Sequence, residues 1–274
     1  MNVKAKGFRT FYLSLFFVVL YVPVLSVILY SFNQSPSTAQ WTGFTLDWYK
    51  ELFNDRVIFE SFKLSIVVAL MTSLLSAILG TAAAIVSLYV TKRMEKSING
   101  IMILPLLVPE VALGVSLLLF FSSLRLPFGY LTLVLAHSLF CVPYVYIMVQ
   151  LRLKEIDKSI IEAAKDLGAG RAKIIKTIIL PLVMPSILTA SLLAMAISLD
   201  DVVISTYMSG PTATTLPVHV FSMMRVGVTP KINALCTLIL VGTFFIVGLS
   251  QLVNKKSNQN NIRNNIQKEE ELNW

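Results

Sequence analysis

Glu110, Asp200 and Asp201 are carboxylates set inside otherwise apolar stretches of sequence. An ionised, unpaired carboxylate at bilayer depth costs roughly 3 kcal/mol or more, so each should face an aqueous path or a partner. No Lys or Arg sits well inside the same stretches, which makes the three acids a cation-seeking surface. Glu110 follows Pro109, and a proline there loosens a helix and points the acid into a bundle. Asp200 and Asp201 are neighbours, and successive helical residues point about 100° apart. One of the pair at most faces a path squarely, and the other is left to cap a helix or bond to an outer loop. The alternative is structural glue, with the acids protonated or paired to Ser, His or another subunit. Trp48 and Tyr207 offer aromatic faces that would add roughly 0.5–2 kcal/mol of cation–π attraction each, or else act as interfacial anchors. His137 suits either a proton relay or, better, a hydrogen bond between helices.

The elements that position these residues follow from composition. Of 274 residues, 55% are hydrophobic and 14% charged, and the mean hydropathy is +0.74. A soluble surface needs more charge than that, so much of this surface faces lipid. Apolar runs of about 20 residues, the length that crosses a bilayer, occur near 11–31, 64–90, 99–122, 130–151, 183–206 and 233–253. The expected fold is all-α, a polytopic protein with six transmembrane helices. Cys141 and Cys236 lie in these runs and read as small buried hydrophobes, with no metal spacing.

The net charge of +8 is a topology signal and not a nucleic-acid patch. With the N-terminus inside, three bases precede the first run, three lie near 91–98, seven lie between Arg152 and Lys176, and four lie in the tail. The outer segments hold six, which accounts for all 23. Both termini are therefore expected in the cytoplasm. The first run has a basic start and a Ser37-Thr38-Ala39 stretch after it, but it is too long for a signal h-region and is read as a retained anchor. Phe44, Trp48, Tyr49, Leu52 and Phe53 form one face of an amphipathic stretch expected to lie along the outer membrane surface. A single transmembrane domain is expected over 1–254, with 255–274 a disordered polar tail.

The inner segment 152–182 carries a spaced pattern: Glu162-Ala163-Ala164, three residues, Gly168, nine residues, Ile178, one residue, Leu180-Pro181. Two short helices fit it, about 156–167 and 171–180. The first puts Ile160, Ala163, Ala164 and Leu167 on one side, and the second presents Ile174, Ile175, Ile178 and Ile179. Gly168 and Gly170 are expected to supply the turn, and Pro181 to break the second helix. Small alanines let such a hairpin sit in a partner's groove, and Glu162 can fix the angle. Composition alone leaves open that the hairpin packs only on its own membrane domain.

That pattern resembles the signature of permease subunits of binding-protein-dependent ABC importers, and every defined position is matched. The resemblance implies the transmembrane domain of a type I ABC importer. In it Glu162, Ala163, Ala164, Gly168, Ile178, Leu180 and Pro181 form coupling helices that dock on an ATPase. Stretches such as Leu199-Asp200-Asp201-Val202-Val203-Ile204-Ser205, Ser209-Gly210-Pro211, Val226-Gly227-Val228-Thr229-Pro230-Lys231 and Trp48-Tyr49 are similar to the spermidine/putrescine permeases. This implies a polyamine cargo, a second homologous permease subunit, two copies of an ATP-binding subunit and an extracytoplasmic polyamine-binding protein. The setting implied is a bacterial inner membrane, with no nucleic acid and no metal. ATP and magnesium would belong to the partner, because the chain has no G-x-x-x-x-G-K-[ST] phosphate loop. An ion- or proton-coupled secondary transporter would explain the acids but not the spaced loop, and no inverted repeat supports it. A membrane enzyme built on Asp200-Asp201 lacks a second acidic cluster.

Overall fold

An apolar run in lipid has no external partner for its backbone groups and must close its hydrogen bonds within a helix. The computed structural model describes residues 3–37, 40–211 and 213–242, and it is built from helices accordingly. In chain order these are α1 (Val3–Tyr30), α2 (Asp47–Asn54), α3 (Arg56–Ser87), α4 (Lys92–Leu107), α5 (Glu110–Ser123) and α6 (Tyr130–Glu155). There follow α7 (Lys158–Asp166), α8 (Arg171–Ile174), a π turn (Ile175–Ile179), α9 (Leu180–Asp200), α10 (Val203–Met208), α11 (Leu216–Val226) and α12 (Pro230–Gly242).

Among the described residues, four helical runs are long and apolar enough to span a bilayer: Tyr12–Tyr30, Arg56–Ser87, Tyr130–Glu155 and the continuous Arg171–Asp200. α4 and α5 make a fifth as a broken pair. α12 begins the sixth expected run, whose remainder lies outside the described residues together with the 255–274 tail.

Three local expectations are corrected. The third run is two helices bent by 104° and not one loosened helix. Pro109 has no amide hydrogen and drives the residue before it out of the helical region, and Val108 is extended at φ −85°, ψ 130°. The fifth run stops at Asp200 and restarts at Val203, with Asp201 extended between. The helix expected to end at Pro181 runs on into α9. Pro181 cannot donate to the carbonyl four residues back, and the π turn ahead of it widens the register, with the Leu180 amide donating to the Ile175 carbonyl.

The chain falls into two compact units, Met1–Asp55 with Met223–Trp274, and Arg56–Ser222. In the second unit α3 packs along α6 and α9, showing them a small-residue stripe that includes Ser61, Ser65, Ala69, Thr72, Ser76 and Ala84. Small residues let membrane helices approach closely, which matters where lipid removes the hydrophobic drive to associate. One apolar core of this unit joins α3, α6, the π turn and α9 through Ala84, Val145, Val149, Ile179 and Val183. The other joins α3, α5, α6 and α10 through Val68, Leu117, Leu133, Ile204 and Met208.

In the first unit α2 is shorter than the amphipathic stretch expected. Leu52 is buried and Trp48 and Tyr49 are half-buried, but Phe53 is exposed, and Phe44 lies outside the helix and stacks on Phe32 at 5.1 Å. Buried Asn33 knots this loop, its amide donating to the carbonyls of Ser37 and Gln40 and its oxygen accepting from the Thr42 amide.

Candidate functional site

Both helix breaks of the second unit carry acids. Glu110 opens α5, its first turn, where a carboxylate is favoured by the helix dipole, and it is exposed. Asp200 closes α9 and is exposed as well. Asp201 has a different position. Its side chain is 8% exposed and its two oxygens accept from the backbone amides of Ile204 at 3.3 Å and Ser205 at 2.6 Å. It therefore caps α10, satisfying two donors that the helix start leaves without intrahelical partners. Of the pair, Asp200 is exposed and Asp201 is held at the start of α10.

His137 of α6 is 2% exposed and reaches across both sides of the break. Its Nδ1 is 2.7 Å from Ser198 Oγ on α9, and its Nε2 is 3.0 Å from Ser205 Oγ on α10 and 3.3 Å from Asp201 Oδ2. Both ring nitrogens thus meet polar partners, one on each side of the break. The interhelical role expected for His137 is the one it has.

Tyr207 of α10 lies flat against α5. A Cβ at Gly114 would fall 2.5 Å from Tyr207 Cδ2, so glycine is what permits this approach. Trp48 belongs to the other unit, where its indole nitrogen donates to the Asn33 carbonyl at 2.8 Å.

The spaced loop forms a defined pair of turns. Asp157 caps α7 by accepting from the Ser159 amide at 2.9 Å, a bond that holds its carboxyl below the ordinary aspartate range. The cap is therefore fully present above the ordinary aspartate pKa and is lost as pH falls through the depressed value. At the other end the Gly168 amide donates to the Lys165 carbonyl and the Ala169 amide to the Ala164 carbonyl, with Gly168 at φ +78°. This is the Schellman arrangement, and its left-handed residue is the reason for glycine. Gly170, expected to share that role, has an ordinary φ of −67°.

Ile161 and Ala164 pack inward on the α6–α9 core. Glu162 and Ala163 are exposed beside Ile160 and Leu167, which are 45% and 88% exposed. α7 thus presents an apolar stripe at i, i+3, i+7 next to Glu162. Ile178 is half-buried on the same core, Leu180 is half-buried and Pro181 is exposed. The Arg171 guanidinium lies 5.7 Å from the ring centre of Tyr89, tying α8 to the segment that follows α3.

A polar knot that sequence reasoning missed joins α4 to α6. Tyr146 Oη donates to Asn99 Oδ1, and Gln150 Nε2 is 2.7 Å from Asn99 Oδ1 and 2.9 Å from Tyr146 Oη. The signal was present as polar side chains in apolar runs, but neutral groups do not stand out as charged ones do.

Membrane helices broken at acids, with a hairpin that leaves an apolar stripe exposed among the described residues, suit a polytopic transport subunit. The fold is that of solved ABC transporter chains. It matches a chain of a bacterial ABC transporter involved in alginate import at TM-score 0.69 and 14% identity, covering 93% of this chain and 98% of that one. It also matches a chain of the MetNI methionine ABC transporter at TM-score 0.58 and 17% identity, covering 72% and 95%. The chain belongs to the family of binding-protein-dependent transport system inner membrane components, whose pattern matches residues 76–258. Among curated relatives it is 44% identical over 255 residues to the putrescine transport system permease protein PotI of Escherichia coli K12, covering 90% of each. It is 36% identical over 250 residues to the spermidine/putrescine transport system permease protein PotC of Haemophilus influenzae, covering 91% of this chain and 97% of that protein.

Proposed function

We propose that this chain is a pore-forming subunit of an ATP-driven importer of polyamines. The observation that carries the reading is the exposure of Glu110 and Asp200 at two helix breaks, on α5 and α9, which hold no Lys or Arg. Polyamines are flexible, multiply charged cations, and an acid-lined path lowers their cost of crossing without holding them tightly. The relatives named for putrescine and spermidine transport support the same cargo. Glu162, Ala163, Ala164 and Gly168 dock on a separate ATPase that binds ATP and magnesium, with Ile178, Leu180 and Pro181 carrying the motion into α9. Two copies of that ATPase serve this chain and a second homologous permease subunit, and an extracytoplasmic binding protein delivers the cargo. Both termini lie in the cytoplasm.

The test is radiolabelled putrescine and spermidine uptake into proteoliposomes holding the full complex. Uptake that needs ATP and the binding protein, and that falls about tenfold in Glu110→Gln and Asp200→Asn, is expected on the cost of an unneutralised cation. Uptake driven by a proton gradient without ATP would contradict it.

A further inference from the structure

The cluster around His137 separates the membrane acids by availability. Asp201 accepts from the Ile204 and Ser205 amides and has His137 Nε2 3.3 Å from its Oδ2, so both its oxygens meet partners from inside the protein. For Asp201 to take a cation, it would have to release the amides that start α10. Among the described residues, His137 is the side chain that bonds to both edges of the break, through Ser198 on α9 and Ser205 on α10. Its ring is buried, so both nitrogens need these partners, and neither can leave without exposing an unsatisfied group. Glu110 and Asp200 carry no such duty and are exposed.

We propose that His137 is a positioning residue of the transport path. It holds Asp201 as the cap of α10 and fixes the break between α9 and α10, leaving Asp200 and Glu110 as the carboxylates that meet cationic cargo. The cargo half rests on the polyamine reading above, and the hinge half does not.

The test has two arms on the full complex in nanodiscs or proteoliposomes. Hydrogen–deuterium exchange is followed at the Ile204 and Ser205 amides. His137→Ala is expected to speed it at least about tenfold, as loss of a hydrogen bond to a charged group implies. His137→Gln, whose amide nitrogen reaches the Nε2 position, keeps the protection. His137→Asn, which reaches only the Nδ1 position, loses it. Glu110→Gln leaves this exchange at the wild-type rate.

In the uptake arm, His137→Ala and Asp201→Asn lower the maximal rate of diamine and triamine by a common factor. Their double variant is within about twofold of the slower single, because the two residues act as one unit. Asp200→Asn and Glu110→Gln instead shift the triamine-to-diamine ratio by about fivefold, the effect of one exposed charge pair.

Unchanged exchange in His137→Ala, or equal protection in the Gln and Asn variants, overturns the hinge. An Asp201→Asn variant that shifts the cargo ratio as Glu110→Gln does overturns the division of labour. A wild-type complex that takes up no polyamine would overturn the functional reading and the cargo half, with the exchange arm still deciding the hinge.

Discussion

At the scale of single residues, backbone geometry and charge placement assign distinct duties to neighbours. A Cβ at Gly168 would meet nothing within 4 Å, so its φ of +78° is the whole reason for glycine there. Gly168→Ala adds strain of about 1–2 kcal/mol and should cut the amount of co-purifying ATPase several-fold while leaving the chain in the membrane. Gly170→Ala, at an ordinary φ and in open space, should change neither. The sequence made Gly168 legible because the spacing after Glu162-Ala163-Ala164 marks a helix end, but it gave Gly170 a duty that only the dihedral denies. The acids were legible as charges in apolar surroundings. The partners of Asp201 were not, because His137 meets Ser198 and Ser205 across separations of 61 and 68 residues that no local pattern records.

At the scale of elements, α7 has an inner face packed on the core and an outer face that is exposed among the described residues. Glu162→Lys reverses the charge on the outer face and should abolish uptake through loss of ATPase docking, with unchanged membrane insertion, as co-purification and carbonate extraction would show. Arg171→Gln removes a cation–π contact worth about 0.5–1 kcal/mol at an exposed site and should lower uptake by only a few-fold. A loss as complete as that of Glu162→Lys would mean that Arg171 does more than hold α8 to Tyr89. The break after α4 was foreshadowed by Pro109, since a proline deprives the helix of a donor wherever it sits. Its 104° angle was not, because bend size is set by packing of the two halves. The π turn before Pro181 left no mark in composition, being a shift of hydrogen-bond register between residues that suit an ordinary helix equally well.

At the scale of the whole molecule, apolar run lengths anticipated the helical membrane fold, and family membership places the chain among inner-membrane transport components. The division into two units cuts across that regular succession of runs, and hydropathy cannot report it. On the proposed reading this chain offers a docking face and an acid-lined path, and ATP, for which its sequence holds no phosphate loop, is used by a partner. The direct test compares putrescine uptake into proteoliposomes by the complete complex with uptake by this chain and its homologous permease partner alone. The account predicts ATP-dependent accumulation by the first and none by the second, even under an imposed proton or sodium gradient. Gradient-driven accumulation without the ATPase would contradict it.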